Sequence, residues 1–89
     1  MALSSEDVGA IDAMLAAGGE ASVLEGFRPR FPGFSLTRCD ESDVDAETPF
    51  RQFPGGSLFL VDGQDHCWHI TADPSRATGI VLARRRGPA

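Results

Sequence analysis

Two segments near the N-terminus carry apolar residues at helical spacing. The first segment begins near Ser4, where a serine can cap a helix, and ends at Gly18-Gly19. The second begins near Glu20 and is limited by Pro29. Their apolar positions are Val8, Ile11 and Leu15 in the first segment, and Val23, Leu24 and Phe27 in the second. Because neither helix is long enough to be stable alone, we expect an antiparallel pair packed on another element.

The remainder of the chain has the alternation and the β-branched and aromatic content of strands. The predicted strands are Phe34–Cys39, Ser57–Val61, His66–Thr71 and Gly79–Ala83. Asp62-Gly63 is a strong hairpin signal between the second and third strands, and Asp73-Pro74 predicts one helical turn before the fourth. The expected fold class is therefore α+β, with two N-terminal helices packed on one face of a four-stranded antiparallel sheet.

The segment between the first two predicted strands, residues 40–56, is called the acidic loop here. It carries Asp40, Glu41, Asp43, Asp45 and Glu47, and then Pro49, Pro54 and Gly55-Gly56. This composition favours a surface loop over a packed element, and the ligand spacing of a calcium loop is absent. We expect the acidic loop to be solvated, with Asp43, Asp45 and Glu47 available to a basic partner.

Alternation also sorts the strand residues onto two faces, provided that the hairpin loop contains two or four residues. One face carries Phe59, Val61, His66, Trp68 and Ile70, and the other carries Leu58, Leu60, Cys67, His69 and Thr71. The first set is larger and more aromatic, so we expect the helices to cover it. Leu58, Leu60 and Leu82 would then form an apolar patch on the second face, either open to a partner or covered by the acidic loop.

Length and charge narrow the class of protein further. A chain of 89 residues with 42% hydrophobic residues fits a single globular domain, residues 1–89, in which we expect residues 84–89 to be a flexible tail. The net charge of −5 opposes binding to nucleic acid, since only Arg84-Arg85-Arg86 offers a basic cluster. No signal peptide and no apolar run of about 20 residues is present, which indicates a cytoplasmic protein that does not bind membranes.

The sequence His66-Cys67-Trp68-His69 suggests two kinds of chemistry. Cys67 and His69, with Cys39 as a further thiolate, are possible metal ligands, but their spacing matches no recognised zinc pattern. Cys67 beside His69 is also a possible nucleophile and base, yet nothing indicates an oxyanion hole or a cleft. We therefore expect free thiols, no catalytic residues and no cofactor, with the metal site as the alternative.

Several short motifs resemble a family of small uncharacterised bacterial proteins associated with nitrogen-fixation gene clusters. These motifs are Phe31-Pro32-Gly33, Leu36-Thr37-x-Cys39, Leu60-Val61-Asp62-Gly63-x-Asp65-His66-Cys67, Asp73-Pro74 and Ala77-Thr78-Gly79. The resemblance covers about Phe31 to Ala83. It implies a cytoplasmic accessory to nitrogenase maturation or regulation, and it implies no catalytic residue.

Together these observations predict a non-enzymatic accessory domain that binds another protein. The expected contact residues are Leu58, Leu60, His69, Asp43, Asp45 and Glu47. The alternative is a metal- or cluster-handling protein that uses Cys67, His69 and Cys39.

Overall fold

The computed structural model describes residues 3–44, 46–63 and 69–85. These residues form two α-helices and five strands, in the order α1 Ser5–Gly18, α2 Glu20–Arg30, β1 Ser35–Asp40, β2 Arg51–Phe53, β3 Gly56–Asp62, β4 His69–Thr71 and β5 Gly79–Arg84. Short 3₁₀ turns cover Glu41–Val44 and Pro74–Arg76. No helix in the described ranges is long and apolar enough to cross a membrane.

Helix α1 begins at the predicted serine cap, Ser4, which forms a capping box with Asp7. The Ser4 hydroxyl accepts a hydrogen bond from the Asp7 amide at 3.2 Å, and the Asp7 carboxylate accepts one from the Ser4 amide at 3.0 Å. Gly19 separates the two helices with φ of 63°, a left-handed value that glycine adopts without strain. Pro29 lies in the last turn of α2, which ends one residue later. Both predicted helices are therefore confirmed.

The sheet is mixed. Strand β5 lies between β1 and β3, parallel to β1 and antiparallel to β3. The other edge of β3 is shared, because β2 pairs with residues 56–58 and β4 pairs with residues 60–62, both antiparallel. All seven residues of β3 are buried, as expected for a central strand covered on both faces.

The α+β class is confirmed, but the prediction of four antiparallel strands is wrong. Strand β2 lies inside the acidic loop, where the flanking prolines and glycines favoured an irregular loop. Strand β1 pairs in parallel with β5, at the far end of the sequence. Alternation identifies a strand and its faces without specifying a distant partner or its direction, so these two features were not predictable from local pattern.

Two hydrophobic clusters occupy the opposite faces of the sheet. The first combines Ile11, Val23, Phe27 and Phe31 of the helical region with Leu58, Leu60, Ile80 and Leu82 of the sheet, together with Leu3, Phe53 and Ala77. The second consists of Phe59, Val61, Val81 and Ala83, against which Cys39, Val44 and Ile70 pack. The predicted sorting of strand residues into these two sets is therefore correct for the described positions.

The expected assignment of those sets to the helices is wrong. The leucines of β3, not Phe59 and Val61, belong to the cluster that contains the helix residues. Aromatic bulk in that cluster comes from Phe27 and Phe31 of the helical region and from Phe53 of β2, whereas β3 and β5 contribute aliphatic side chains. His66, Cys67 and Trp68 lie outside the described residues.

Candidate functional site

The first part of the acidic loop folds back over the sheet face that carries Phe59. The chain leaves β1 at Asp40 and enters the 3₁₀ turn Glu41–Val44, whose last residue packs against the Phe59 cluster. The Glu47 amide then donates to the Val44 carbonyl at 3.0 Å, which closes a second turn. The packing of the partly buried Val44 thus holds the 3₁₀ turn, with Glu41 and Asp43, against this face of the sheet.

A pocket of about 270 Å³ lies between this loop and the sheet. We call it the loop pocket, and it is lined by Glu41, Val44, Glu47, Pro49, Gln52, Ser57, Phe59 and Arg85. Gln52 and Ser57 are register partners on β2 and β3 and therefore face the same side of the sheet. The pocket combines an apolar lining with two carboxylates and one guanidinium.

Glu41 is the best anchored ionisable group in the loop pocket. Its Oε2 accepts a hydrogen bond from the hydroxyl of Ser57 at 3.1 Å, and Ser57 is 2% exposed on the central strand. Its Oε1 lies 3.6 Å from Nε of Arg85. At this distance Glu41 and Arg85 form an ion pair without a hydrogen bond, and the Arg85 side chain is half exposed. The carboxylate is therefore held firmly from the sheet and only weakly by the arginine.

Arg85 is positioned by its backbone. Its amide donates to the carbonyl of Gly55 at 2.7 Å, just beyond the last residue of β5, Arg84. Residues 84 and 85, which were expected to begin a flexible tail, thus contact the sheet through β5 and this hydrogen bond, and residues 86–89 lie outside the described ranges. Alternation continued from Val81 and Ala83 would have placed Arg85 on the Phe59 face.

Two further acidic residues of the loop are exposed. Glu47 and Asp43 are exposed, and within the described part of the chain neither side chain has a hydrogen bond or ion pair. Asp45 lies outside the described residues. The availability of Glu47 and Asp43 to a partner agrees with the expectation for the acidic loop, while their role in binding stays a prediction.

Cys39 lies beside this loop and packs against the Phe59 cluster. Burial raises the pKa of its thiol above the usual value, and the nearby carboxylates of Asp43 and Asp40 raise it further. The thiol is therefore protonated at neutral pH, which is the opposite of what a nucleophile or a thiolate ligand requires.

Cys39 and His69 are too far apart to bind one metal ion. Cys39 lies on β1 and His69 on β4, separated by three inter-strand steps, or about 14 Å. Cys39 belongs to the Phe59 face, whereas His69 is opposite Asp62 on the other. No group of three metal-ligating side chains occurs in the described ranges, and Cys67 lies outside them. The two described members of the predicted ligand set, Cys39 and His69, are therefore not brought together.

His69 instead belongs to a small charged cluster at the end of β3. The buried carboxylate of Asp62 lies 4.0 Å from Nε2 of His69 and 3.9 Å from a guanidinium nitrogen of Arg76. The adjacent Gly63 amide donates to the Thr78 hydroxyl at 2.8 Å. These contacts connect the end of β3 to β4 and to the segment before β5. Stabilisation of the fold is therefore sufficient to explain them.

Leu58 and Leu60 were expected to form part of a partner surface. Both are fully buried, in the cluster that contains Ile11, Val23 and Phe27. The face that carries Leu58 and Leu60 was expected to be open or covered by the acidic loop, but it packs against helix residues. Neither leucine is therefore accessible to a partner. The sequence alone did not point to Ser57 or Gln52, and it singled out Arg85 only as part of a basic cluster. These residues meet only in the folded sheet.

The fold and its pocket define a small α+β domain with an acidic loop packed against a mixed sheet. The chain belongs to the DUF6129 family, a family of unknown function whose model matches residues 13–85. That match includes α2, all five strands and the whole loop pocket. No curated protein and no solved structure gives a significant match to the chain.

Proposed function

We propose that this protein is a non-enzymatic, cytoplasmic interaction domain that binds a protein with a basic surface through its acidic loop. The loop supports this role because Glu41, Asp43 and Glu47 lie within one short segment that the sheet holds in place. Carboxylates held at a fixed surface attract a basic partner and orient it.

The lining of the loop pocket gives the main support for this proposal. It includes the acidic residues Glu41 and Glu47 and the apolar residues Val44 and Phe59. A surface that combines fixed charge with a recessed apolar lining suits a specific contact better than a solvated loop does. A role in nitrogen fixation rests on the sequence resemblance alone and stays a prediction.

Affinity capture with matched charge variants tests this function. Tagged wild-type protein, the D43N/E47Q variant and the E6Q/E25Q variant are incubated with extract of the native host, and bound proteins are identified by mass spectrometry. All four substituted residues are exposed, and both variants lose the same charge. We expect a protein with a basic surface to bind the wild type and E6Q/E25Q, but not D43N/E47Q.

A direct titration completes the test. The captured protein is purified and titrated calorimetrically with each of the three forms, and its affinity should fall as salt rises. Equal binding to both variants, or no specific binding to the wild type, would contradict the proposal.

A further inference from the structure

One guanidinium of the chain itself, that of the lining residue Arg85, already lies beside the Glu41 carboxylate. Nε of Arg85 lies 3.6 Å from Oε1 of Glu41, so the chain shows which chemical group the Glu41 carboxylate attracts. The contact is too long for a hydrogen bond, and exposed ion pairs of this kind contribute little free energy. A competing guanidinium can therefore displace Arg85 at small cost.

The size of the pocket restricts the ligand. A volume of about 270 Å³ is below the range of roughly 300–1,000 Å³ typical of pockets for drug-sized molecules. Phe59, Val44 and Pro49 supply apolar lining, while Glu41 and Glu47 supply negative charge. This combination fits one long side chain with an apolar stem and a cationic end.

The fixed carboxylate favours arginine over lysine. Ser57 holds Oε2 of Glu41 through one lone pair, which leaves the other lone pair of Oε2 and both lone pairs of Oε1 for donors. A planar guanidinium can donate to both oxygens at once and can lie against an apolar or aromatic surface, whereas an ammonium is a strongly hydrated point charge.

We propose that the loop pocket is a binding site for an arginine side chain of a partner protein, which takes the place of Arg85 beside the Glu41 carboxylate. This inference rests on the proposed function and names the chemistry of the partner residue. Arg85 is then an internal competitor whose removal strengthens binding.

Peptide titrations followed by NMR test the site directly. The probes are three synthetic Gly/Ser-rich peptides that differ at one position, which is arginine, lysine or citrulline. The wild type should bind the arginine peptide at least about threefold more tightly than the lysine peptide, with shifts at the amides of Glu47 and Ser57. Citrulline lacks the charge and should not bind.

Two pairs of variants of equal charge complete the experiment. R85A should bind the arginine peptide about two- to fivefold more tightly, whereas R28A, at an exposed position of α2, should not change the affinity. E41Q should weaken binding about tenfold, and E25Q should have no effect. If E41Q affects folding, E47Q provides a second test, because the Glu47 side chain is exposed and its replacement should leave the fold intact. E47Q should also weaken binding.

The proposal is overturned if R85A and R28A behave alike, if lysine binds as well as arginine, or if neither E41Q nor E47Q weakens binding. These results leave the general function standing if D43N/E47Q still loses a basic partner in the capture experiment. Conversely, arginine-selective binding without any captured partner would support the site and contradict the proposed function.

Discussion

Hydrogen bonds between neighbouring residues stabilise the short turns of this domain, and Asp73 is an example. Asp73 caps the 3₁₀ turn Pro74–Arg76, and its carboxylate accepts from the Ser75 hydroxyl at 2.7 Å and from the Ser75 amide at 3.0 Å. The hydroxyl contributes most, the amide contributes next, and both lower the pKa of Asp73. A lowered pKa means that the cap stabilises the turn above the unfolded-state pKa, and that this contribution disappears as the pH falls through the folded-state pKa.

Replacing Ser75 tests this assignment. In S75A the main donor is lost, so the pKa of Asp73 should rise towards its ordinary value. NMR pH titration of the Asp73 carboxyl carbon measures the change, and S42A, in the acidic loop, serves as the control and should leave the value unaltered. An identical pKa in S75A and wild type would contradict the assigned cause.

Two glycines should respond oppositely to alanine. A Cβ at Gly79 would overlap the Ser35 side chain and lie 2.8 Å from the Ser35 carbonyl oxygen, because β1 and β5 are in close contact there. A Cβ at Gly9, on the exposed side of α1, meets nothing within 4 Å. Urea unfolding should show G79A destabilised by about 1–3 kcal/mol and G9A stabilised by up to about 1 kcal/mol. Equal stability of the two variants would contradict the close contact between Gly79 and Ser35.

At the level of elements, charged side chains connect the helices to the sheet. Glu20, at the start of α2, accepts from Arg38 of β1 at 3.3 Å and from Arg84 of β5 at 3.0 Å. In a similar way, Arg51 of β2 donates to Asp12 of α1 at 2.8 Å and lies over the Phe50 ring. These pairs add orientation to an interface that burial already stabilises.

E20Q tests the connection between α2 and the sheet. It removes the negative charge that Arg38 and Arg84 share, and should therefore lower the melting temperature. The decrease should be only about a few degrees, because both arginines are about half exposed. E25Q, on the same helix, is the matched control and should have no such effect. The difference between the variants should shrink at high salt, and a difference that is independent of salt would argue against an electrostatic link.

At the level of the whole molecule, a five-stranded sheet separates two hydrophobic clusters. The radius of gyration is 12.3 Å, close to the value of about 12 Å expected for a compact chain of this length. Strand β3 contributes Leu58 and Leu60 to one cluster and Phe59 and Val61 to the other. Loss of packing on either face therefore disturbs the same central strand, and we expect unfolding in a single transition.

Leu58 provides the strongest test of this arrangement. Because Leu58 is fully buried, we expect L58A to lower the free energy of unfolding by about 2–5 kcal/mol. The same substitution at an exposed position would change it by no more than about 0.5 kcal/mol. Denaturant unfolding measures the difference. If L58A does not fold, L58M conserves volume and should lose less than about 1.5 kcal/mol.

The sequence by itself determined both helices, the main strands and the two sets of strand residues. Those features depend on contacts between near neighbours, such as the Ser4 cap, the 3.6-residue period and the alternation along β3. The same local signals predicted an exposed acidic loop, and Asp43 and Glu47 are indeed exposed in the structure.

Only the tertiary structure decided which face the helix residues share, that β1 runs parallel to β5, and that Glu41, Ser57 and Arg85 meet. These three residues come from different parts of the chain, and no local pattern links them. Their proximity follows from strand order and register, which are set by the free energy of packing the whole sheet and not by any single segment.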